Sequence, residues 1–135
     1  MIKIGIDVGS TTAKLVAVDE NDNLLFSKYE RHNAKAKETI LSFLKELLSE
    51  IGDKDISVRI TGSIGMGISE KCSLPFVQEV VAAAKAIQKD YSHVTSMIDI
   101  GGEDAKVVFF NDAEATDLRM NGNCAGGTGA FIDQM

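Results

Sequence analysis

Two short segments of the sequence share an aspartate, a glycine and a lysine at the same spacing. The first reads "DVGSTTAK" over residues 7–14, and the second reads "DIGGEDAK" over residues 99–106. In each, an aspartate ends an apolar stretch, a glycine follows two residues later, and a lysine lies beyond the turn. Successive backbone N–H groups in such a turn form a concave site for phosphate oxygens. A neighbouring carboxylate can hold Mg²⁺ through water.

The candidate phosphate-binding groups are therefore the backbone and hydroxyl groups of two turns. They are Gly9, Ser10, Thr11 and Thr12 in the first turn and Gly101 and Gly102 in the second. No helix is predicted directly after either turn, which excludes a Walker loop and a dinucleotide fingerprint. Taken singly, each turn is equally an ordinary hairpin turn. As a pair, they predict a clamp on a Mg-polyphosphate.

The two turns belong to a longer internal repeat. With an offset of 92 residues, segment 4–19 aligns without gaps on segment 96–111, and six of the sixteen positions are identical. The alternative is that all β-hairpins look alike. The shared polar residues, Asp and Lys, favour a true repeat of strand, turn and strand.

The elements around the first turn predict an α/β lobe of order β-β-β-α-β-α. A third strand (23–30) precedes a helix at 35–51, whose apolar residues recur at helical spacing. A strand (56–62), a glycine-rich stretch and a helix near 75–89, with Pro75 in its first turn, complete the lobe.

The second copy is shorter. It begins near residue 94, predicts a third strand at about 113–119, and starts a helix near residue 127. We expect a first lobe over 1–92 and an incomplete second lobe over 93–135. Apolar strand faces in the second lobe lack a cover, which favours the front of a longer polypeptide over completion by a partner chain.

Composition excludes several classes of partner. The net charge is −6 over 135 residues, with no basic cluster, which argues against nucleic acid and anionic membrane surfaces. No signal-like segment and no apolar run of membrane-spanning length is present, so we expect a cytoplasmic protein. Two cysteines are too few for a disulfide scaffold.

Cys124 lies in the glycine-rich stretch "NGNCAGGTGAF". A buried core cysteine is one interpretation, but its polar neighbours are unlike a core. A cysteine nucleophile requires a histidine partner, and His32 and His93, both in polar connecting segments, are expected at the surface. Paired zinc-ligand spacing is missing.

The strand, "DVGSTT", strand arrangement followed by strand, "DIGGEDAK", strand resembles the actin/hexokinase-type ATPase superfamily, with two ribonuclease-H-like lobes. The further combination with "NGNCAGGTGAF" resembles the BadF/BadG/BcrA/BcrD-type ATPases, which activate 2-hydroxyacyl-CoA dehydratases and benzoyl-CoA reductases. The resemblance covers nearly the whole chain. It implies a homodimer that binds ATP, with one [4Fe–4S] cluster bridging the subunits. ATP hydrolysis would drive one low-potential electron into the partner dehydratase or reductase.

The resemblance also implies roles for individual residues. Asp7 and Asp99 would organise Mg²⁺ and the attacking water, and the two glycine turns would cradle the phosphates. Cys124 would be a cluster ligand, with the second cysteine ligand of each subunit further along the chain. A helix that begins near the loop would stabilise the negative charge of thiolates and cluster.

Three further side chains keep two interpretations each. Lys14 and Lys106 either reach a phosphate or lie along a sheet face. Glu79 either orients water or is a solvated helix residue. Cys72 does not match the family pattern and is expected to be structural.

Two other functions are compatible with the turns. A small-molecule kinase of the same superfamily shares them without needing Cys124, and a non-catalytic module would bind nucleotide only to regulate assembly. Because the chain lacks the adenine-binding part of the second lobe, we expect it to hydrolyse ATP weakly or not at all by itself, and to self-associate.

Overall fold

The computed structural model describes residues 1–101, 104–111 and 114–121. The strands are β1 (Ile2–Val8), β2 (Thr12–Val18), β3 (Leu24–Arg31), β4 (Ile56–Thr61), β5 (Ser96–Ile100), β6 (Ala105–Asn111) and β7 (Glu114–Asn121). The helices are α1 (Ala36–Ile51), α2 (Gly65–Cys72) and α3 (Glu79–Asp90). None of the helices that these residues form is long and apolar enough to cross a membrane. The chain divides into two compact units, Met1–Val77 and Gln78–Met135.

The first unit is built on a four-stranded sheet with strand order β3-β2-β1-β4. β1 and β3 both run antiparallel to β2, whereas β4 runs parallel to β1. A parallel neighbour requires a crossover connection, and α1 provides it between β3 and β4. Along the chain, three strands, a helix and a fourth strand follow one another in the predicted order.

Alternation along β1 decides which face of this sheet is covered. Its buried residues are Ile2, Ile4, Ile6 and Val8, and the residues between them are more exposed. The helix α1 packs on this face through Ile40, Phe43, Leu47 and Ile51. The predicted apolar stripe of the helix is therefore confirmed, except that Leu48 is exposed. Asp7 lies on the opposite face of the sheet.

A short helix that the sequence pattern did not predict follows β4. The helix α2 begins at Gly65, inside the glycine-rich stretch. Gly62 has a φ of 96°, and a Cβ there would lie 2.3 Å from the carbonyl oxygen of Val8. Ile64 N–H donates to that same oxygen at 2.9 Å. The glycine at position 62 therefore lets the start of α2 approach the end of β1 closely.

The second predicted helix begins later than expected. The helix α3 starts at Glu79, and Phe76 instead forms a parallel bridge with Ile60 of β4. Ile60 N–H donates to the Pro75 carbonyl oxygen at 3.0 Å, and Val77 N–H donates to the Ile60 carbonyl oxygen at 2.8 Å. The prediction that Pro75 lies in the first helical turn is wrong, because the edge of β4 offers these residues backbone partners.

The second unit contains a three-stranded antiparallel sheet of order β5-β6-β7, and α3 packs on β6. Ala84 of α3 lies in a small buried cluster with Val108 and Phe110. Because α3 packs here, the compact units divide at Val77, before the lobe boundary at residue 92 that the repeat predicts. The boundary at residue 92 between the two copies of the repeat stays a prediction.

One face of the second sheet is exposed. Ile98 is 68% exposed, and Ile100 and Phe109 are exposed as well. Ile98 pairs with Val107 and therefore lies on the face opposite to Val108, which contacts α3. In the described residues, the expectation of an uncovered apolar strand face is confirmed.

Candidate functional site

The first turn connects β1 to β2. Gly9 N–H donates to the carbonyl oxygen of Thr12 at 3.0 Å, which closes the turn. The N–H groups of Ser10 and Thr11 have no hydrogen-bond partner among the described residues. Thr11 is exposed and Ser10 is half-buried, so a ligand can approach the turn from solvent. Consecutive unpaired N–H groups are what an anion-binding turn requires.

The backbone of the turn does not itself require glycine at position 9. Gly9 does not have a positive φ. A Cβ at this position would meet the Thr12 carbonyl oxygen at 3.8 Å, which is an ordinary contact. The fold therefore tolerates a side chain here, and the space next to Gly9 is open to a ligand that approaches the backbone closely.

Asp7 and Lys14 lie opposite each other across β1 and β2. Lys14 Nζ is 2.7 Å from Asp7 Oδ2 and 5.5 Å from the centre of the Tyr29 ring. The second carboxylate oxygen, Asp7 Oδ1, is buried and has no hydrogen-bond partner in the described part of the chain. A buried oxygen without a partner lowers stability, so a water molecule or a hydrated cation is its expected partner.

Thr61, at the end of β4, is a site residue that sequence reasoning missed. It pairs in parallel register with Asp7, which places the two side chains on the same face of the sheet. Its Oγ1 is also buried and has no partner within the described ranges. Two neighbouring oxygens of this kind fit a hydrated Mg²⁺, which prefers oxygen ligands and retains several waters. Only the pairing of β4 with β1, which no local pattern reveals, brings Thr61 here.

The second turn shares two described features with the first. Gly101 N–H donates to the Asp104 carbonyl oxygen at 2.8 Å. Asp99 lies opposite Lys106 across β5 and β6, as Asp7 lies opposite its lysine across β1 and β2. The turn bond and the Asp–Lys register are thus both conserved between the two copies of the repeat.

The side-chain partners of the two lysines differ. Lys106 Nζ lies 2.7 Å from Asp104 Oδ2 and 3.2 Å from Glu79 Oε2, and its side chain is 7% exposed. Burial alone would lower the pKa of Lys106, but its hydrogen bonds to Asp104 and Glu79 outweigh burial and raise that pKa above its usual value. The Asp99 side chain has no ion-pair or hydrogen-bond partner among the described residues.

The structure assembles the predicted site residues into one group in each unit. The first group contains Asp7, Gly9, Ser10, Thr11, Thr12 and Lys14, and the second contains Glu79, Asp99, Gly101 and Lys106. Gly102 and Cys124 lie outside the described residues. Glu79 is an ion-pair partner of Lys106 rather than only a solvated helix residue.

The prediction that His32 lies at the surface is wrong. The residue is 4% exposed, and its Nε2 lies 2.9 Å from the carbonyl oxygen of Gly9. A tertiary contact buries it, and a single histidine in a polar segment gives no local signal of such a contact. His93 is exposed, as predicted.

The described residues offer few side chains for direct coordination of a metal ion. They contain no group of three or more His, Cys, Asp or Glu side chains placed to hold a metal ion. A Mg²⁺ held mainly through water and phosphate needs fewer protein ligands than that. Cys72 is the last residue of α2 and carries an exposed free thiol.

The chain is similar to known proteins along nearly its whole length. The BadF/BadG/BcrA/BcrD ATPase family matches residues 4–135. The (R)-2-hydroxyglutaryl-CoA dehydratase activating ATPase of Acidaminococcus fermentans is 27% identical over 134 residues, which make up 98% of this chain and 51% of that protein.

Two solved structures share the fold. Component A of the (R)-2-hydroxyglutaryl-CoA dehydratase from Acidaminococcus fermentans superposes with a TM-score of 0.85 at 27% identity, covering 100% of this chain and 52% of that one. The activator of the 2-hydroxyisocaproyl-CoA dehydratase from Clostridium difficile, with bound ADPNP, gives a TM-score of 0.84 at 28% identity, covering 100% and 51%. They confirm the predicted actin-like, ribonuclease-H-like α/β fold.

The chain spans about half the length of these relatives. Within that half, the family match includes both turns and the glycine-rich stretch that holds Cys124. The chain belongs to the BadF/BadG/BcrA/BcrD ATPase family.

Proposed function

We propose that the protein containing this chain hydrolyses ATP and thereby drives one low-potential electron into a 2-hydroxyacyl-CoA dehydratase or a related acyl-CoA reductase. Relatives named as dehydratase activators support this assignment, and one of them was solved with ADPNP bound. In such an activator, this chain would supply the phosphate-binding turns.

One observation carries the proposal. The turn after β1 presents unpaired amides of Ser10 and Thr11 beside Asp7, whose Oδ1 is buried and unpartnered in the described residues. Unpaired amides suit phosphate oxygens, and an unpartnered carboxylate oxygen suits water bound to a cation. Both features together are those of a Mg-nucleotide site, whereas an ordinary hairpin turn needs neither.

The residues in and beside the first turn would bind different parts of a Mg-nucleotide. Ser10 and Thr11 bind phosphate oxygens through their N–H and hydroxyl groups. The hydroxyl of Thr12 is a further donor to phosphate. Lys14 holds one oxygen of Asp7, which leaves Oδ1 in a fixed orientation to hold water. When bound, Mg²⁺ supplies positive charge that offsets the charge of the phosphates.

The second turn offers a carboxylate that no lysine neutralises. Asp99 lacks an ion-pair partner within the described residues, so its carboxylate is available to accept a proton or a hydrogen bond from the attacking water. Asp104 and Glu79 hold Lys106 away from it. Glu79 thus positions Lys106 through Oε2, which leaves Oε1 as the oxygen with which it would orient water.

Cys124 provides the proposed link to electron transfer. A [4Fe–4S] cluster requires four ligands, so each subunit of a homodimer would contribute Cys124 and one further cysteine. When bound, the cluster supplies one-electron redox chemistry at low potential. Cys124 lies outside the described residues. The glycine-rich sequence around it and the family membership of the chain support this step.

Anaerobic iron and sulfide determination on the complete protein, with ATP hydrolysis measured on the same samples, tests the proposal. We expect about four irons per dimer, lost in Cys124→Ala and retained in Cys72→Ala, which removes only an exposed thiol. Nucleotide turnover without iron in the wild type would favour the small-molecule kinase or a plain ATPase. Absence of nucleotide binding would contradict the ATPase assignment itself.

A further inference from the structure

We propose that His32 is a positioning residue that holds the turn from Gly9 to Thr12 in its phosphate-binding conformation. The inference rests on the proposed function, because it places His32 beneath the turn where the phosphates would bind. His32 follows β3 directly and is 23 residues from Gly9 in the chain, so the contact between them is tertiary.

The imidazole of His32 contacts the first carbonyl group of the turn. Nε2 lies 2.9 Å from the carbonyl oxygen of Gly9. A carbonyl oxygen only accepts hydrogen bonds, so Nε2 carries the proton and donates it. His32 is 4% exposed, which keeps water from competing for this hydrogen bond.

The backbone of His32 binds the same turn. Its N–H donates to the carbonyl oxygen of Thr11 at 3.2 Å. The Thr12 carbonyl oxygen accepts from Gly9 N–H, so three carbonyl oxygens of the turn are engaged by protein donors. The N–H groups of Ser10 and Thr11 stay unpaired in the part of the chain that the structure describes. Engaging the carbonyl oxygens leaves the amides as the groups that the turn offers to an anion.

The loop after His32 is strained, which indicates that the contact fixes its conformation. Asn33 and Ala34 have φ values of 46° and 63°, in the left-handed region that alanine rarely adopts. Lys35 N–H donates to the His32 carbonyl oxygen at 2.7 Å and closes the loop before α1. Strain of this kind persists only where surrounding contacts determine the conformation, and it concentrates at functional sites.

Packing alone does not explain a histidine at this position. His32 Nδ1 is buried and has no hydrogen-bond partner among the described residues. An unpaired buried nitrogen lowers stability, so an apolar side chain of similar size would pack at least as well. The feature that an apolar residue cannot supply is the donor at Nε2.

The test compares the affinity of variants of the complete protein for Mg-ADPNP by calorimetry. His32→Leu removes the donor, and we expect it to weaken binding about tenfold, the equivalent of one hydrogen bond. His32→Gln keeps a side-chain N–H of similar reach, and we expect affinity within about threefold of wild type. His93→Leu is the control, because it changes an exposed histidine of the other unit.

Wild-type affinity in a folded His32→Leu variant would overturn the proposal, and so would a folded His32→Gln variant that binds no better than His32→Leu. If His32→Leu does not fold, His32→Gln and the state of the wild-type ring decide. By ¹⁵N NMR without nucleotide, we expect the Nε2–H tautomer with a slowly exchanging proton. A Nδ1–H tautomer would overturn the role proposed for His32, even if the wild-type protein binds nucleotide. If the wild-type protein binds no nucleotide, that result would contradict the proposed function and not the contact between His32 and the turn.

Discussion

Lys14 Nζ lies 2.7 Å from Asp7 Oδ2, directly across the first two strands. The equivalent lysine of the second copy, Lys106, lies directly across from Asp99 but bonds to Asp104 and Glu79 instead. The two copies therefore share the closing hydrogen bond of the turn and the Asp–Lys register, but the ion pairs of their lysines differ. In the first copy, Lys14 pairs with one carboxylate oxygen of Asp7. In the second copy, the carboxylate of Asp99 has no partner among the described residues.

Gly9→Ala tests whether glycine at this position serves the ligand rather than the fold. Among the described residues that are not adjacent to Gly9 in the chain, the nearest atom to such a Cβ is the Thr12 carbonyl oxygen at 3.8 Å, so we expect the free energy of unfolding to change by less than about 0.5 kcal/mol. Affinity for Mg-ADPNP should fall about tenfold, because the methyl group occupies the space next to the phosphates. Urea unfolding and calorimetry check the two effects. An unstable Gly9→Ala variant would contradict the open space at this turn.

Thr61→Val tests the role of the unpartnered hydroxyl beside Asp7. Valine has nearly the same shape, and the buried Oγ1 has no described partner to lose, so we expect unchanged or slightly higher stability. Mg²⁺-dependent ATP hydrolysis should fall about tenfold if this oxygen holds water on the cation. Thr61→Ser keeps the hydroxyl and should retain most of the activity. Equal turnover in both variants would remove Thr61 from the site.

Lys106→Met tests the ion-pair network of the second unit. The substitution leaves Asp104 and Glu79 without their shared partner, and we expect it to lower the free energy of unfolding by about 1 to 2 kcal/mol at neutral pH. Lys28→Met is the control, because it breaks an exposed pair with Glu46 and should have a smaller effect.

The pH dependence of the Lys106 contribution follows from the direction of its pKa shift. The pKa is raised in the folded protein, so the contribution is complete below the usual value of 10.5 and is lost as pH rises through the raised value. The difference in stability between wild type and Lys106→Met should therefore be constant through neutral pH and shrink only in strong alkali. A difference that disappears near neutrality would contradict this account.

Gly62→Ala tests the packing of α2 against the end of β1. With a φ of 96° and a Cβ position 2.3 Å from the Val8 carbonyl oxygen, alanine forces the backbone to shift, and we expect a loss of about 3 kcal/mol. Gly67→Ala is the matched control within α2, since a Cβ there has open space and alanine favours the helix. Thermal unfolding of both variants gives the comparison.

Local pattern was sufficient for much of the fold. Alternation predicted the buried face of β1, helical spacing predicted α1, and the repeat placed Gly9 and Gly101 in equivalent turns. Each of these depends on residues close together in the chain, or on a polar motif that occurs twice.

Features that depend on distant pairing were not predictable in this way. Proline is common in the first turn of a helix, but the carbonyl oxygen of Pro75 instead accepts a hydrogen bond from Ile60 N–H. That bond depends on the position of β4, which the sequence around Pro75 does not reveal. His32 and Thr61 reach the first turn through β3 and β4, so neither carries a local signal. The start of α2 was also missed, because the close approach of Gly62 to Val8 leaves no signal in the sequence.

The most direct test of the phosphate-binding turn is the amide NMR spectrum of the complete protein during titration with Mg-ADPNP. The account predicts that the amide resonances of Ser10 and Thr11 shift with the same affinity as binding, because their unpaired N–H groups acquire phosphate partners. The amide of Gly67, in α2, should not move. Saturation with nucleotide while Ser10 and Thr11 stay unchanged would contradict the account.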